Sequence, residues 1–300
     1  MSLSGKSLRV RDDEFGIDLD FNVVDEGNGD PVLFLHGFPD SAEVWREQIG
    51  PVSNAGYRVI APDLRGFGDS ARPSDPDPRR DIALYSLQRI VADVIGILRA
   101  LAVAPPVHVV GHDWGAAVGW VLASTTRSQP LVRSLVAMSV AHPRAYKRPT
   151  IAQRQKSWYI YFFQHPRAEH AIARDTQFLR DWSRFPQEVP RWQRDLGRTG
   201  ALTAALNWYR ANASPDPARS LVDAIPELEA KGLWGPVRVP TLGVSSTDDP
   251  HLTSEPMRAS DNFVANPADW QYQEIPAGHW LQLERPELVN PLLVDFLKSA

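Results

Sequence analysis

From Val10 to Asp113 the chain alternates short apolar runs with stretches of helical spacing. Residues 21–24 and 31–35 read as strands on either side of the turn Gly27-Asn28-Gly29-Asp30, and residues 57–61 as a third that ends at Pro62-Asp63. Residues 45–55 suit a short helix. Leu87, Ile90, Val91, Val94, Ile95 and Leu98 repeat at three and four residues, which predicts an amphipathic helix over 86–101 with Ser86 as its cap. Residues 107–110 and 134–140 are strand-like around a helix at 116–124. Such βαβα alternation implies a mostly parallel sheet with helices on both faces.

The rhythm changes between 141 and 232. Apolar strand runs stop, Arg and Trp accumulate, and the segments read as helices broken by Pro166, Pro186, Pro190, Pro215 and Pro217. Strand grammar resumes at 240–245 and 270–276, and a last helix spans about 286–297. The reading is therefore one α/β core, 1–140 with 233–300, interrupted by a helical insertion at 141–232. Residues 74–81 read as a Pro-rich polar surface loop without chemistry.

Composition narrows the function classes. Thirty-two Lys and Arg against 36 Asp and Glu leave a net charge of −4, so the broad basic surface of a nucleic-acid or anionic-membrane binder is not expected. With no cysteine, thiolate metal sites, disulfides and Cys nucleophiles are ruled out. Neither a leader-like apolar stretch at the start nor a run of about 18–20 apolar residues is present, so the expectation is a cytoplasmic protein without a membrane span. Gly5-Lys6-Ser7 resembles the end of a phosphate-binding loop but lacks its upstream glycine and is set aside.

The sharpest chemical signal is Val109-Val110-Gly111-His112-Asp113-Trp114-Gly115-Ala116-Ala117. A strand enters a helix through a turn with glycines two residues before and two after Asp113. That arrangement is a nucleophile elbow, which exposes its central residue on a strained corner and needs small neighbours for close packing. An N-cap aspartate in a tight βα turn has the same local appearance. His36-Gly37-Phe38-Pro39 follows the strand at 31–35, where the Phe38 N–H can join the Trp114 N–H as two oxyanion donors. Asp249, with Asp248 as the competing acid, follows the strand near Ser245, and His279 follows the final strand. Nucleophile, acid, histidine is the chain order of the α/β-hydrolase layout.

With these elements the chain resembles the α/β-hydrolase superfamily, and in it the epoxide hydrolases with an Asp nucleophile. The resemblance rests on His36-Gly-Phe-Pro-Asp40, Asp63-Leu-Arg-Gly-Phe-Gly-Asp-Ser70, Gly111-His-Asp-Trp-Gly115 and Gly278-His279, and spans nearly the whole chain. It implies an α/β-hydrolase fold with an inserted helical cap. In the insertion, Trp158-Tyr159-Ile-Tyr-Phe-Phe-Gln164-His-Pro166 and Asn207-Trp208-Tyr209-Arg210 resemble the two lid phrases of that family, and they point to Tyr159 and Tyr209 as acid donors. Tyr161 stands close enough in sequence to compete with Tyr159. The acid loop departs from the family pattern, with Ser245-Ser246-Thr247 where a glycine is usual three residues before the acid.

The residue types suit the reaction. An ordinary aspartate, with a pKa of about 3.9, is ionised at neutral pH and can attack a strained epoxide carbon without a general base. The released alkoxide needs acid help, which phenols can give. His279, oriented by Asp249, is then free to activate water against the ester. The implied partners are a small apolar epoxide and water, in a monomer or homodimer, and no metal or organic cofactor is implied. A haloalkane dehalogenase would use the same Asp, His and Asp, with Trp114 and one of Trp158, Trp182, Trp192 or Trp208 on the halide; its usual Asn after His-Gly is replaced by Phe38. A fluoroacetate-type dehalogenase would want Arg where Trp114 stands, and a Ser esterase would want Ser at position 113. The reading from a different class is a non-catalytic ligand-binding protein on the same scaffold.

Overall fold

The apolar runs pair into one sheet. The computed structural model describes residues 3–175 and 177–300. Its strands are β1 (Lys6–Asp12), β2 (Ile17–Gly27), β3 (Asp30–Leu35), β4 (Tyr57–Pro62), β5 (Val107–His112), β6 (Val132–Met138), β7 (Thr241–Ser246) and β8 (Trp270–Ile275), in the order β1-β2-β4-β3-β5-β6-β7-β8. β3 to β8 run parallel, and β1 and β2 join antiparallel at one edge. Every residue of central β5 is buried, as a strand covered on both faces requires.

β1 is absent from the sequence reading. It alternates charged outward residues with Leu8 and Val10, and in its hairpin register Arg9 faces Asp20 and Arg11 faces Asp18. That cross-strand charge match was its signal, and the strand begins within the segment that resembled a phosphate loop. The helix expected at 86–101 spans Leu87–Ala100, but Ser86 makes no side-chain cap bond. Instead, the Leu87 N–H donates to Asn212 Oδ1 at 2.7 Å, so a residue from the insertion caps a core helix. The loop at 74–81 runs into a helix, Pro78–Ala83, whose N-cap is Asp77. Asp81 Oδ2 there accepts from Asn207 Nδ2 at 2.7 Å.

Between β6 and β7 the chain is helical, as the loss of strand grammar implied. It includes Ile151–Lys156, Trp158–Phe163, Phe178–Ser183, Val189–Leu196 and Ala201–Asn212. Pro190 does not break its helix; it lies in the first turn, where a missing N–H costs nothing. This layer lies over the C-terminal ends of the parallel strands, the edge where open α/β sheets gather ligand-binding loops. Among the described residues no helix is long and apolar enough to cross a membrane.

Candidate active site

The corner at Asp113 follows from packing. β5 ends at His112, the helix Trp114–Ser124 begins two residues later, and Asp113 between them adopts φ 54° and ψ −123°, a backbone state that side-chain-bearing residues avoid. The flanking glycines let strand and helix approach. A Cβ on Gly115 would stand 1.9 Å from the Leu35 carbonyl oxygen, and one on Gly111 would stand 2.4 Å from the Gly115 carbonyl oxygen. Gly37 serves the side chain itself, since a Cβ there would lie 2.2 Å from Asp113 Oδ1.

Asp113 Oδ1 accepts the Phe38 N–H at 2.8 Å, and the Trp114 N–H also favours its ionised form. Burial alone would raise the Asp113 pKa; the close approach and positive charge of His279, with the Trp114 amide, hold it below the ordinary carboxylate value. His279 Nε2 lies 3.7 Å from Asp113 Oδ2, and its Nδ1 lies 2.7 Å from Asp249 Oδ2. Burial would lower the His279 pKa, but Asp249's charge and the two carboxylate contacts push it up to about 10. Asp249 is also fully buried, and the charge and hydrogen bond of His279 bring it down to about 2.

The two candidate acids separate cleanly. Asp248 is exposed and, among the described residues, its side chain accepts only from its neighbour Thr247, whereas Asp249 Oδ1 takes the N–H groups of His251 and Leu252 at 2.7 and 3.0 Å while Oδ2 meets His279. The glycine missing from the acid loop is not needed for this turn, because Asp249 organises it. The serines in its place, Ser245 and Ser246, point into the protein without a side-chain partner among the described residues.

Tyr159, on the helix Trp158–Phe163, and Tyr209, on Ala201–Asn212, both line the cavity that holds Asp113. Their rings are edge to face at 5.9 Å. Tyr159 is 5% exposed and Tyr161 63%, which distinguishes the two neighbours. Burial and the nearby Asp113 charge raise both phenol pKa values well above the ordinary one, so both carry their protons at neutral pH. The Trp114 indole N–H favours the anionic form of Tyr209, at a geometry looser than a hydrogen bond. The cavity encloses about 390 Å³, with Trp114, Val140, Ala141 and Ile160 among its apolar walls.

The other tryptophans turn elsewhere. Trp158 is 51% exposed, Trp192 donates to Asp40, Trp208 donates to the Arg65 carbonyl oxygen, and Trp182 lines a different cavity. No group of three or more His, Asp or Glu that could hold a metal occurs among the described residues.

Several contributors were not singled out in the sequence. Gln153 Nε2 donates to the His251 carbonyl oxygen at 3.0 Å, its Oε1 accepts the Thr253 N–H at 2.8 Å, and Lys156 binds the carbonyl oxygens of Asp249 and Leu252. One helix of the insertion thus fixes the acid loop. Asp40, fully buried, accepts the indole N–H groups of Trp192 at 2.8 Å and Trp280 at 2.7 Å and pairs with Arg191. It ties the oxyanion loop, the residue after His279 and the helix Val189–Leu196 into one knot. His251 packs edge-on to His279 at 5.1 Å. These roles depend on long-range contacts, and only the position of Asp40 within the His-Gly-Phe-Pro-Asp phrase hinted at one.

The family model for the alpha/beta hydrolase fold matches residues 30–286. Over 92% of its length the chain is 33% identical to epoxide hydrolase A of Mycobacterium tuberculosis, covering 93% of that protein. It is 32% identical to the AB hydrolase superfamily protein YfhM of Bacillus subtilis, covering 95% of this chain and 96% of that one. Among solved structures, epoxide hydrolase A from Mycobacterium thermoresistibile superposes with a TM-score of 0.74 at 27% identity, over 99% of this chain and 98% of that one. The chain belongs to the α/β-hydrolase superfamily and, within it, to the epoxide hydrolase family.

Proposed function

We propose that the protein hydrolyses epoxides to vicinal diols through a covalent ester on Asp113. One observation carries the reading: a carboxylate on the strained corner shares a cavity with two protonated phenols, and a histidine already paired with a second carboxylate stands 3.7 Å away. The epoxide enters with its oxygen toward Tyr159 and Tyr209. Asp113 Oδ2, the oxygen not held by the Phe38 N–H, attacks a ring carbon. The C–O bond breaks, and the alkoxide takes a proton from a phenol. Such acid assistance contributes about 10²–10⁴ in rate.

In the second step His279 takes a proton from water, Asp249 stabilises the imidazolium, and the hydroxide adds to the Asp113 ester carbon. The Phe38 and Trp114 amides receive the charge on the tetrahedral oxygen, an interaction of about 3–4 kcal/mol per donor in comparable sites. Collapse expels the glycol oxygen, which takes the proton from His279, and the proton left on the Asp113 carboxyl returns to the phenolate; the diol leaves with one oxygen from Asp113. In this reading residues 141–232 are the cap that brings the phenols over the core, made of 1–140 and 233–300. The substrate and water are the only partners needed.

The tryptophan placements favour an epoxide over a halide, because Trp192 and Trp208 spend their N–H groups elsewhere and Trp158 and Trp182 do not line the Asp113 cavity. Incubation with styrene oxide and, separately, with a bromoalkane tests the assignment. Diol without bromide is the expected result. Bromide without diol would make the protein a dehalogenase, and neither product would leave a ligand-binding role.

A further inference from the structure

Beside the Asp113 cavity lies a smaller one of about 210 Å³, walled by Trp158, Asp175, Asp181, Trp182, Arg184 and His251. Among the described residues the two cavities share no wall residue. Along the partition between them successive side chains face opposite ways, with Tyr159 and Leu252 on the first cavity and Trp158 and His251 on the second. The outer rim of the second cavity is charged and exposed, at Asp175, Asp181 and Arg184. Its inner wall is the His251 imidazole, stacked on Trp182 at 4.4 Å.

Two nitrogens of this stacked pair, His251 Nε2 and Trp182 Nε1, are buried and meet no hydrogen-bonding group among the described residues. Native proteins satisfy such atoms with ordered water, and a polar cavity of this size has room for several molecules at about 30 Å³ each. The same imidazole stands edge-on to both His279 and Tyr159, at 5.1 Å in each case. Its backbone N–H donates to Asp249 Oδ1. The second cavity therefore ends at a ring that packs directly against the histidine that the proposed second step uses.

We infer that the second cavity is the water entrance of the enzyme and that His251 positions the incoming water toward His279. The inference rests on the ester chemistry proposed above. Once the ester has formed, its carbon chain occupies the Asp113 cavity, and water arriving from that side would have to pass it. A route behind Tyr159 avoids the organic group and leaves the substrate cavity dry during ring opening, where water would compete for the phenols.

Rapid mixing with styrene oxide, with the ester followed by mass spectrometry, tests this. Asp181→Trp narrows the outer rim far from Asp113; His251→Phe keeps the ring stack but loses the nitrogen, and His251→Gln restores a hydrogen-bonding group. Ester formation should stay within twofold of wild type in all three. Ester decay should fall at least tenfold in Asp181→Trp and His251→Phe and recover in His251→Gln. Unchanged decay in Asp181→Trp would route water through the substrate cavity. Equal slowing of formation and decay in His251→Phe, without recovery in His251→Gln, would reduce His251 to packing. Either result overturns the inference while leaving the ester mechanism intact. Absence of any ester in wild type and in His279→Gln would instead remove the mechanism on which it rests.

Discussion

His279 Nε2 stands 3.7 Å from Asp113 Oδ2, while its Nδ1 is bonded to Asp249 at 2.7 Å. The longer gap is beyond hydrogen-bond range, yet close enough for the charges to matter. The imidazolium is thus flanked by two carboxylates, one of which the proposed esterification would neutralise. In that mechanism the first chemical step lowers the proton affinity of the base that the second step needs.

Ester decay is accordingly expected to rise with pH through a midpoint below about 10, the value to which His279 is raised in the free protein. NMR titration of His279 in the resting protein, set beside the pH profile of ester decay, checks this. Coincident midpoints would show that the alkylated and free states hold the proton equally.

The same pair sets a stability window. Because folding raises the His279 pKa from 6.5 to about 10, its contribution is complete below pH 6.5 and disappears as pH rises through about 10. Asp249 is lowered from 3.8 to about 2, so its contribution is complete above pH 3.8 and is lost as pH falls through about 2. Denaturant titrations of wild type and His279→Gln should show a stability gap at pH 6 that closes toward pH 10. A gap independent of pH would mean that the histidine acts through packing alone.

Asp113→Asn should abolish turnover of styrene oxide. In a single turnover of wild type in ¹⁸O-water, the first diol should emerge unlabelled, because its new oxygen comes from the carboxylate. Label in that first diol would point to direct attack by water.

Tyr159→Phe and Tyr209→Phe should each slow ester formation, by about 10²-fold or more when combined, and leave ester decay nearly unchanged. Fluorescence or mass detection of the ester separates the two rates. Equal ester formation in the double variant and wild type would take the phenols out of the ring-opening step.

Gly37→Ala discriminates side-chain placement from folding. Its Cβ would fall 2.2 Å from Asp113 Oδ1, a contact relieved only by moving the carboxylate or the loop. Loss of ester formation with a melting temperature within a few degrees of wild type is expected, and near-normal activity would show that Asp113 tolerates displacement.

Much of the core was legible because its signals are local. The elbow glycines, the buried run of β5 and the periodic helix at Leu87–Ala100 each write their packing into adjacent residues. The choice between Asp248 and Asp249 was not local, since adjacent acids look alike until burial and the His251 and Leu252 amides separate them. Tyr159 and Tyr161 were ambiguous for the same reason: both line the Asp113 cavity, and only the deep burial of Tyr159 against the exposure of Tyr161 separates them. β1 hid behind its charges, and Gln153, Lys156 and His251 act on partners about 100 residues away or on one another's surroundings, where no sequence pattern records the meeting.

The Asp40 knot has a bearing on engineering. A lid grafted from another enzyme without Arg191 and Trp192 would strand a sealed anion at the seam, a defect worth roughly 3–5 kcal/mol when one member of a buried ion pair is removed. Chimeras that carry the helix Val189–Leu196 with its recipient loop, or that replace Asp40 with an uncharged residue at the same time, should tolerate foreign lids far better than simple swaps at the insertion ends.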